Sequence, residues 1–188
     1  STGRFRIAEK SADSRRISIL TGTEAVFQAD GTLALTDPRL VTVTADGKTN
    51  LVFIASECLF DQDKKTIRSP GALSLTTGDG QMQLKGVGFY GNLVGPTLSV
   101  SSNIEANLDK GFTRSPLGQT QKIKEPSNTL NPLQITSQRF DLEPGRVVFS
   151  GMVSVNNDDG KLSSDSITVE MRGNEWELQN IRAIGSVV

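Results

Sequence analysis

Apolar and polar residues alternate along most of this chain with a period of two, and a step of three breaks the alternation at recurring places. Leu51, Phe53 and Ala55 are followed by Cys58 and Phe60. A period of two puts one face of a β-strand inward, and the inserted residue reads as a β-bulge. The same spacing fits Ser18, Leu20, Gly22, Ala25 and Phe27, then Leu133, Ile135, Ser137, Phe140 and Leu142, and again Gly160, Leu162, Ser164, Ile167 and Val169. A looser copy lies at Leu98, Val100, Ala106 and Leu108. Breaks at Asp37-Pro38, Ser69-Pro70-Gly71, Ser115-Pro116, Ser150-Gly151 and Ile184-Gly185 follow the copies. Self-similarity on this scale marks repeat architectures, so each copy is expected to be one layer or hairpin of a larger sheet.

Turn chemistry supports the same picture. Asp46-Gly47, Asp79-Gly80 and Asp159-Gly160 are flanked by alternating apolar residues, a strong hairpin signal. No window carries a convincing helical stripe. The predicted fold class is therefore all-β, stacked antiparallel sheets with little or no helix. The compositional break is Gln119 to Pro132, a polar stretch in which Pro126 and Pro132 lack the N–H that a central strand needs. It separates a region 1–118 from a region 133–188, with 119–132 as loop or linker. The pattern is compatible with one continuous sheet pair and with two lobes.

The residues expected between facing sheets are Leu20, Phe27, Leu35, Phe53, Phe60, Leu75, Leu84, Leu98, Ile135, Phe140 and Val148, with small residues such as Gly22, Ala25 and Ala55 among them. Two readings fit this face. It is the core of an ordinary sandwich, or it lines a trough that holds an apolar ligand.

Composition narrows the chemistry. The chain has 188 residues, enough for a real core. Its net charge is −1, its basic residues are scattered along the sequence, and aromatics make up 5%, so a nucleic-acid partner is not expected. With no histidine, Ser-His-Asp and Cys-His catalysis are excluded, and a His/Cys zinc site has only Cys58 to draw on. Cys58 occupies an inward position and reads as a packed small hydrophobe. Gly86-Val87-Gly88-Phe89-Tyr90-Gly91 matches a dinucleotide fingerprint, but Asn92-Leu93-Val94-Gly95-Pro96 follows instead of a helix. Those glycines read as easing a bent strand. Asn157-Asp158-Asp159-Gly160 and the Asp61, Asp63 pair read as turns rather than cation loops. No catalytic residue, metal or cofactor is expected. A carbohydrate-active sandwich would need a carboxylate pair and aromatic platforms, for which there are only Trp176 and Tyr90. The opening Ser1-Thr2-Gly3 reads as a trimmed start, leaving room upstream for an export signal or anchor.

The run Leu33-Ala34-Leu35-Thr36-Asp37-Pro38-Arg39-Leu40, followed by Asp46-Gly47 and by Leu51, Phe53, Ala55, Cys58 and Phe60, resembles the membrane-anchored periplasmic subunit of the bacterial lipopolysaccharide-transport bridge. Cys58 stands where that family usually has alanine. The segment 133–188 is more similar to the soluble OstA-like bridge proteins, through Leu162-x-Ser164-x-x-Ile167-x-Val169 and the closing stretch from Ile181 to Val187. The resemblance implies an open β-jellyroll of OstA-like repeats, periplasmic and non-enzymatic. Its apolar groove would shield the acyl chains of lipopolysaccharide or a related lipid on the way to the outer membrane. It further implies edge strands that join other jellyrolls of the bridge, and an N-terminal segment that holds the protein to the inner membrane. The competing reading is a structural β-solenoid or adhesion module with a closed core.

Overall fold

The computed structural model describes residues 4–11, 15–95, 97–109, 133–157, 160–171 and 178–185, with no side-chain description for 178 and 179. The polar segment 119–132, Ser115-Pro116, Asp158-Asp159, Trp176 and the last three residues lie outside them. One 15-stranded antiparallel sheet holds the described residues, and no helix occurs among them. The strands are β1 (Phe5–Lys10), β2 (Arg16–Gly22), β3 (Glu24–Phe27), β4 (Thr32–Thr36), β5 (Arg39–Thr44), β6 (Thr49–Ala55), β7 (Glu57–Asp61) and β8 (Thr66–Thr77). They continue with β9 (Met82–Asn92), β10 (Thr97–Leu108), β11 (Leu133–Ser137), β12 (Arg139–Glu143), β13 (Arg146–Asn157), β14 (Gly160–Met171) and β15 (Leu178–Ile184).

The step of three in the sequence pattern is a corner. In a flat strand, residues three apart point to opposite faces. Here β6 ends at Ala55, Ser56 interrupts, and β7 begins at Glu57 with one neighbour changed: β6 pairs with β5 and β7 with β4, while both pair with β8. Thr23 and Gln138 separate β2 from β3 and β11 from β12 in the same way. The bend turns the second half-strand so that Ala55 and Cys58 both face inward. A bulge within one sheet was expected at these positions. The register shifts fall instead on neighbouring long strands, which take one more residue round the same line of corners: Ser69/Ala72 on β8, Ser102/Glu105 on β10 and Ser150/Val153 on β13. Asp37, Asn103 and Met152 have left-handed backbones there, with φ of 49°, 53° and 49°, a conformation that re-aims a strand sharply.

The corners divide the ladder into two half-sheets. The first contains β1, β2, β5, β6, β11 and the halves of β8, β9, β10, β13 and β14 that pair with them. The second contains β3, β4, β7, β12, β15 and the remaining halves of the long strands. The pairing is continuous from β10 to β11 and β12, so the ladder crosses from the region before the polar segment to the region after it. One hydrophobic cluster draws on both halves. Phe53 of β6 meets Phe89 of β9 edge-on across the gap, with ring centroids 4.7 Å apart.

Hairpins close the opposite rim. Gly47 N donates to Thr44 O and Gly80 N to Thr77 O, each at 2.9 Å, and Asn157 Oδ1 accepts from Gly160 N. Asp61 caps its turn by accepting from the amides of Asp63 and Lys64 and from Lys64 Nζ. Those hydrogen bonds hold its carboxyl below the usual range. The glycine-rich motif lies inside β9. Gly86 is buried, where a Cβ would come within 2.5 Å of Val100 Cγ1, and Gly88 turns the corner at φ 71°.

Cys58 is buried beside Leu35, and desolvation pushes its thiol up to about 12. It stays protonated through neutral pH, and the thiolate is the reactive form. At pH 8 the native protein is expected to give no reaction with a thiol-specific chromogenic disulfide, and one equivalent after denaturation. Rapid labelling of the folded chain would show that the corner beside Ser56 opens.

Candidate functional site

Alternation brings the inward side chains of the two half-sheets face to face, and a slot remains between them near the hairpin rim. Its walls are Leu40, Thr42, Leu51 and Phe53 from the first half and Ile67, Leu93, Leu98, Leu142 and Met171 from the second. Arg16 and Glu143 stand at its mouth. The cavity measures about 60 Å³, room for a handful of water-sized groups. A ligand as long as an acyl chain would enter only if the half-sheets part.

Along the corners the covalent chain joins the halves. Across the rim, Ser18 Oγ donates to Leu93 O at 3.3 Å, and Lys65 Nζ pairs with Glu9 Oε1 at 2.7 Å. Partly exposed pairs of this kind are worth about 0–1 kcal/mol. A single neutral hydrogen bond adds roughly 0.5–1.5 kcal/mol.

The ladder has an edge strand on each side of the slot. At one end the edge strands are β1 and β3. Phe5 and Ile7 of β1 sit opposite Gly22 and Leu20 and share their inward face. The Phe5 ring lies over Gly22, where a Cβ would come within 2.5 Å of it. At the other end β15 is the last strand among the described residues, and Ile181, opposite buried Val169, is 44% exposed.

Of the sequence-predicted residues, Phe53 and Leu98 line the slot. Leu20, Leu35, Phe60, Leu75, Leu84, Ile135 and Phe140 are buried in the surrounding cluster. Two differ from expectation. Phe27 shares the inward face, opposite Leu33, but it ends an edge strand with no further layer to cover it and is 76% exposed. Val148 lies on the outer face, half-buried, while Val147 and Phe149 point inward. In the run Val147-Val148-Phe149 every residue is apolar, so alternation cannot choose between the two parities.

Leu40, Ile67, Leu93 and Met171 were missed. Leu93 sits in a turn, held by its amide to Lys65 O at 2.9 Å, and carries no period for a sequence pattern to detect. Leu142 was visible as the last position of its repeat copy. Among the described residues no group of three or more acidic or thiol side chains could hold a metal ion. No protein-family model and no curated protein matches the chain.

Proposed function

We propose that this chain is a non-enzymatic periplasmic lipid-shielding protein, an open β-jellyroll of OstA-like repeats that covers the acyl chains of lipopolysaccharide or a related lipid. The observation that carries the reading is the apolar slot between two half-sheets, joined along the corners and bridged across the rim by contacts that include Ser18–Leu93 and the Glu9–Lys65 pair. The magnitudes favour opening on ligand. Burying an acyl chain contributes about 0.8 kcal/mol per methylene, so a few methylenes offset the rim contacts, and the remainder works against the cost of parting the packed walls. The edge strands β1, β3 and β15 expose unpaired backbone of the kind that jellyroll partners extend.

The small volume of the slot favours a second reading, a structural module whose core stays closed. Photo-crosslinking separates the two. A benzophenone amino acid at Phe53 or Leu98 is expected to capture lipopolysaccharide in cells, whereas one at Tyr90, on the outer face, is not. No adduct from either slot position, or equal labelling from Tyr90, would favour the closed module.

A further inference from the structure

Four of the basic residues that are scattered along the sequence lie on one outer surface, where carboxylates are few. On the outer face of the first half-sheet, β1, β2, β5 and β6 lie side by side. The cross-strand row Ala8, Ile19, Val41, Val52 contains no charge. Next to it Ile17 pairs with Val43, and Ile54 pairs with Arg39. Ile17 is 36% exposed and Ile54 46%. Exposed Arg6, Lys10, Arg39 and Lys85 surround this aliphatic strip, carried by β1, β5 and β9. Along these ladders the first outward carboxylate is Glu105 on β10, directly opposite Lys85, which β8 separates from the strip. The strands of the second half-sheet carry an excess of acid on their outer face, with Glu24, Glu57, Asp61, Asp141, Glu143 and Glu170 against Arg68, Arg139, Arg146 and Arg182. Arg139 is already bound there to Asp141, at 2.7 Å.

A chain with net charge −1 that sorts its charges in this way has one face attracted to a negative plane and the other repelled by it. We infer that the outer face of β1, β2, β5 and β6 is a docking surface for an anionic membrane. Arg and Lys meet the phosphates, and the β-branched strip lies against the interfacial region. The strip is flat and carries no protruding aromatic, so the protein adsorbs without inserting, and its attachment is electrostatic and sensitive to salt. The surface is separate from the slot and does not depend on what the slot holds.

The test is co-sedimentation of the chain with phosphatidylglycerol vesicles and with phosphatidylcholine vesicles. Binding is expected to the anionic vesicles alone, falling steeply between low and physiological salt. The triple variant Arg6→Gln, Arg39→Gln, Lys85→Gln is expected to weaken it about a hundredfold, roughly fivefold for each charge, or about 1 kcal/mol apiece. Arg182→Gln, on the opposite outer face, is expected to leave it unchanged. Circular dichroism of each variant verifies the fold, and the salt dependence of the unaltered chain tests the inference without any variant. Absence of binding to anionic vesicles, equal binding to both vesicle types, or insensitivity to the triple change would each overturn it. Self-association in sedimentation velocity that the triple change abolishes would assign the face to a second copy of the chain and overturn it as well.

Discussion

Replacing Phe53 with alanine is expected to lower the free energy of unfolding by about 3–5 kcal/mol. The side chain is fully buried between the half-sheets, and its ring meets Phe89 edge-on at an interplanar angle of 75°. Truncation removes the transfer free energy of the ring and an aromatic contact worth roughly 0.5–1.5 kcal/mol. It also leaves a void beside the slot, because strands fixed by ladders on both sides cannot collapse to fill it. For a chain of this size each kcal/mol lowers Tm by about 2–4 °C, so calorimetry should register a fall of roughly 6–20 °C. The enlarged slot should also take up an apolar fluorescent dye that the parent chain excludes. A loss of less than about 1 kcal/mol with no gain in dye binding would show that the half-sheets do not pack on each other at Phe53, and the slot would lose its inner wall.

Gly78→Ala is expected to be the most damaging glycine substitution outside the interior. Gly78 follows β8 at the hairpin rim, and its amide donates to Asn50 O at 2.7 Å. A methyl group at this position would fall inside the van der Waals radius of the Thr49 carbonyl oxygen. The obstacle is backbone and cannot swing aside. The turn itself is also held, since Thr77 Oγ1 donates to Asp79 Oδ1 at 2.6 Å and accepts from Met82 N at 3.0 Å. Relief therefore has to come from separating β6 from β8, at a cost of about 1–3 kcal/mol or more. Native-state hydrogen exchange should show faster exchange at Gly78 and along the β6–β8 ladder, with β13 and β14 unaffected. Gly95→Ala, which meets nothing within 4 Å, serves as the near-neutral comparison. Equal stability of the two variants would mean that the rim is loose before any substitution.

Both expectations depend on features that differ in how far the sequence reveals them. The strands themselves were legible because alternation is a local property: Leu51, Phe53 and Ala55 declare an inward face without reference to any other part of the chain. Hairpin turns at Asp46-Gly47 and Asp79-Gly80 were legible for the same reason. Where the local signal is degenerate, the reading slips by one residue, as at Val148. Where a face is right but its cover depends on neighbouring layers, as for Phe27 at the end of β3, exposure cannot be read from spacing.

The step of three shows the boundary most clearly. As a pattern it marks a departure from regular pleating, and a bulge and a corner look alike from within one strand. Only the identity of the neighbours separates them: β6 and β7 share β8 on one side and part company on the other, β6 to β5 and β7 to β4. The slot is beyond the pattern for the same reason: Ser18 and Leu93 meet across 75 residues, and Glu9 meets Lys65 across 56. The sorting of charge onto opposite outer faces likewise follows from which strands lie side by side. By itself, then, the order of residues determined that this protein is built of β-strands, where they turn, and most of the side chains that face inward, since each of these follows from a few consecutive residues. The tertiary structure alone decided that the strands bend into facing halves, where a gap remains between them, and which surface carries the positive charge, because each of these is a relation between segments that the chain holds far apart.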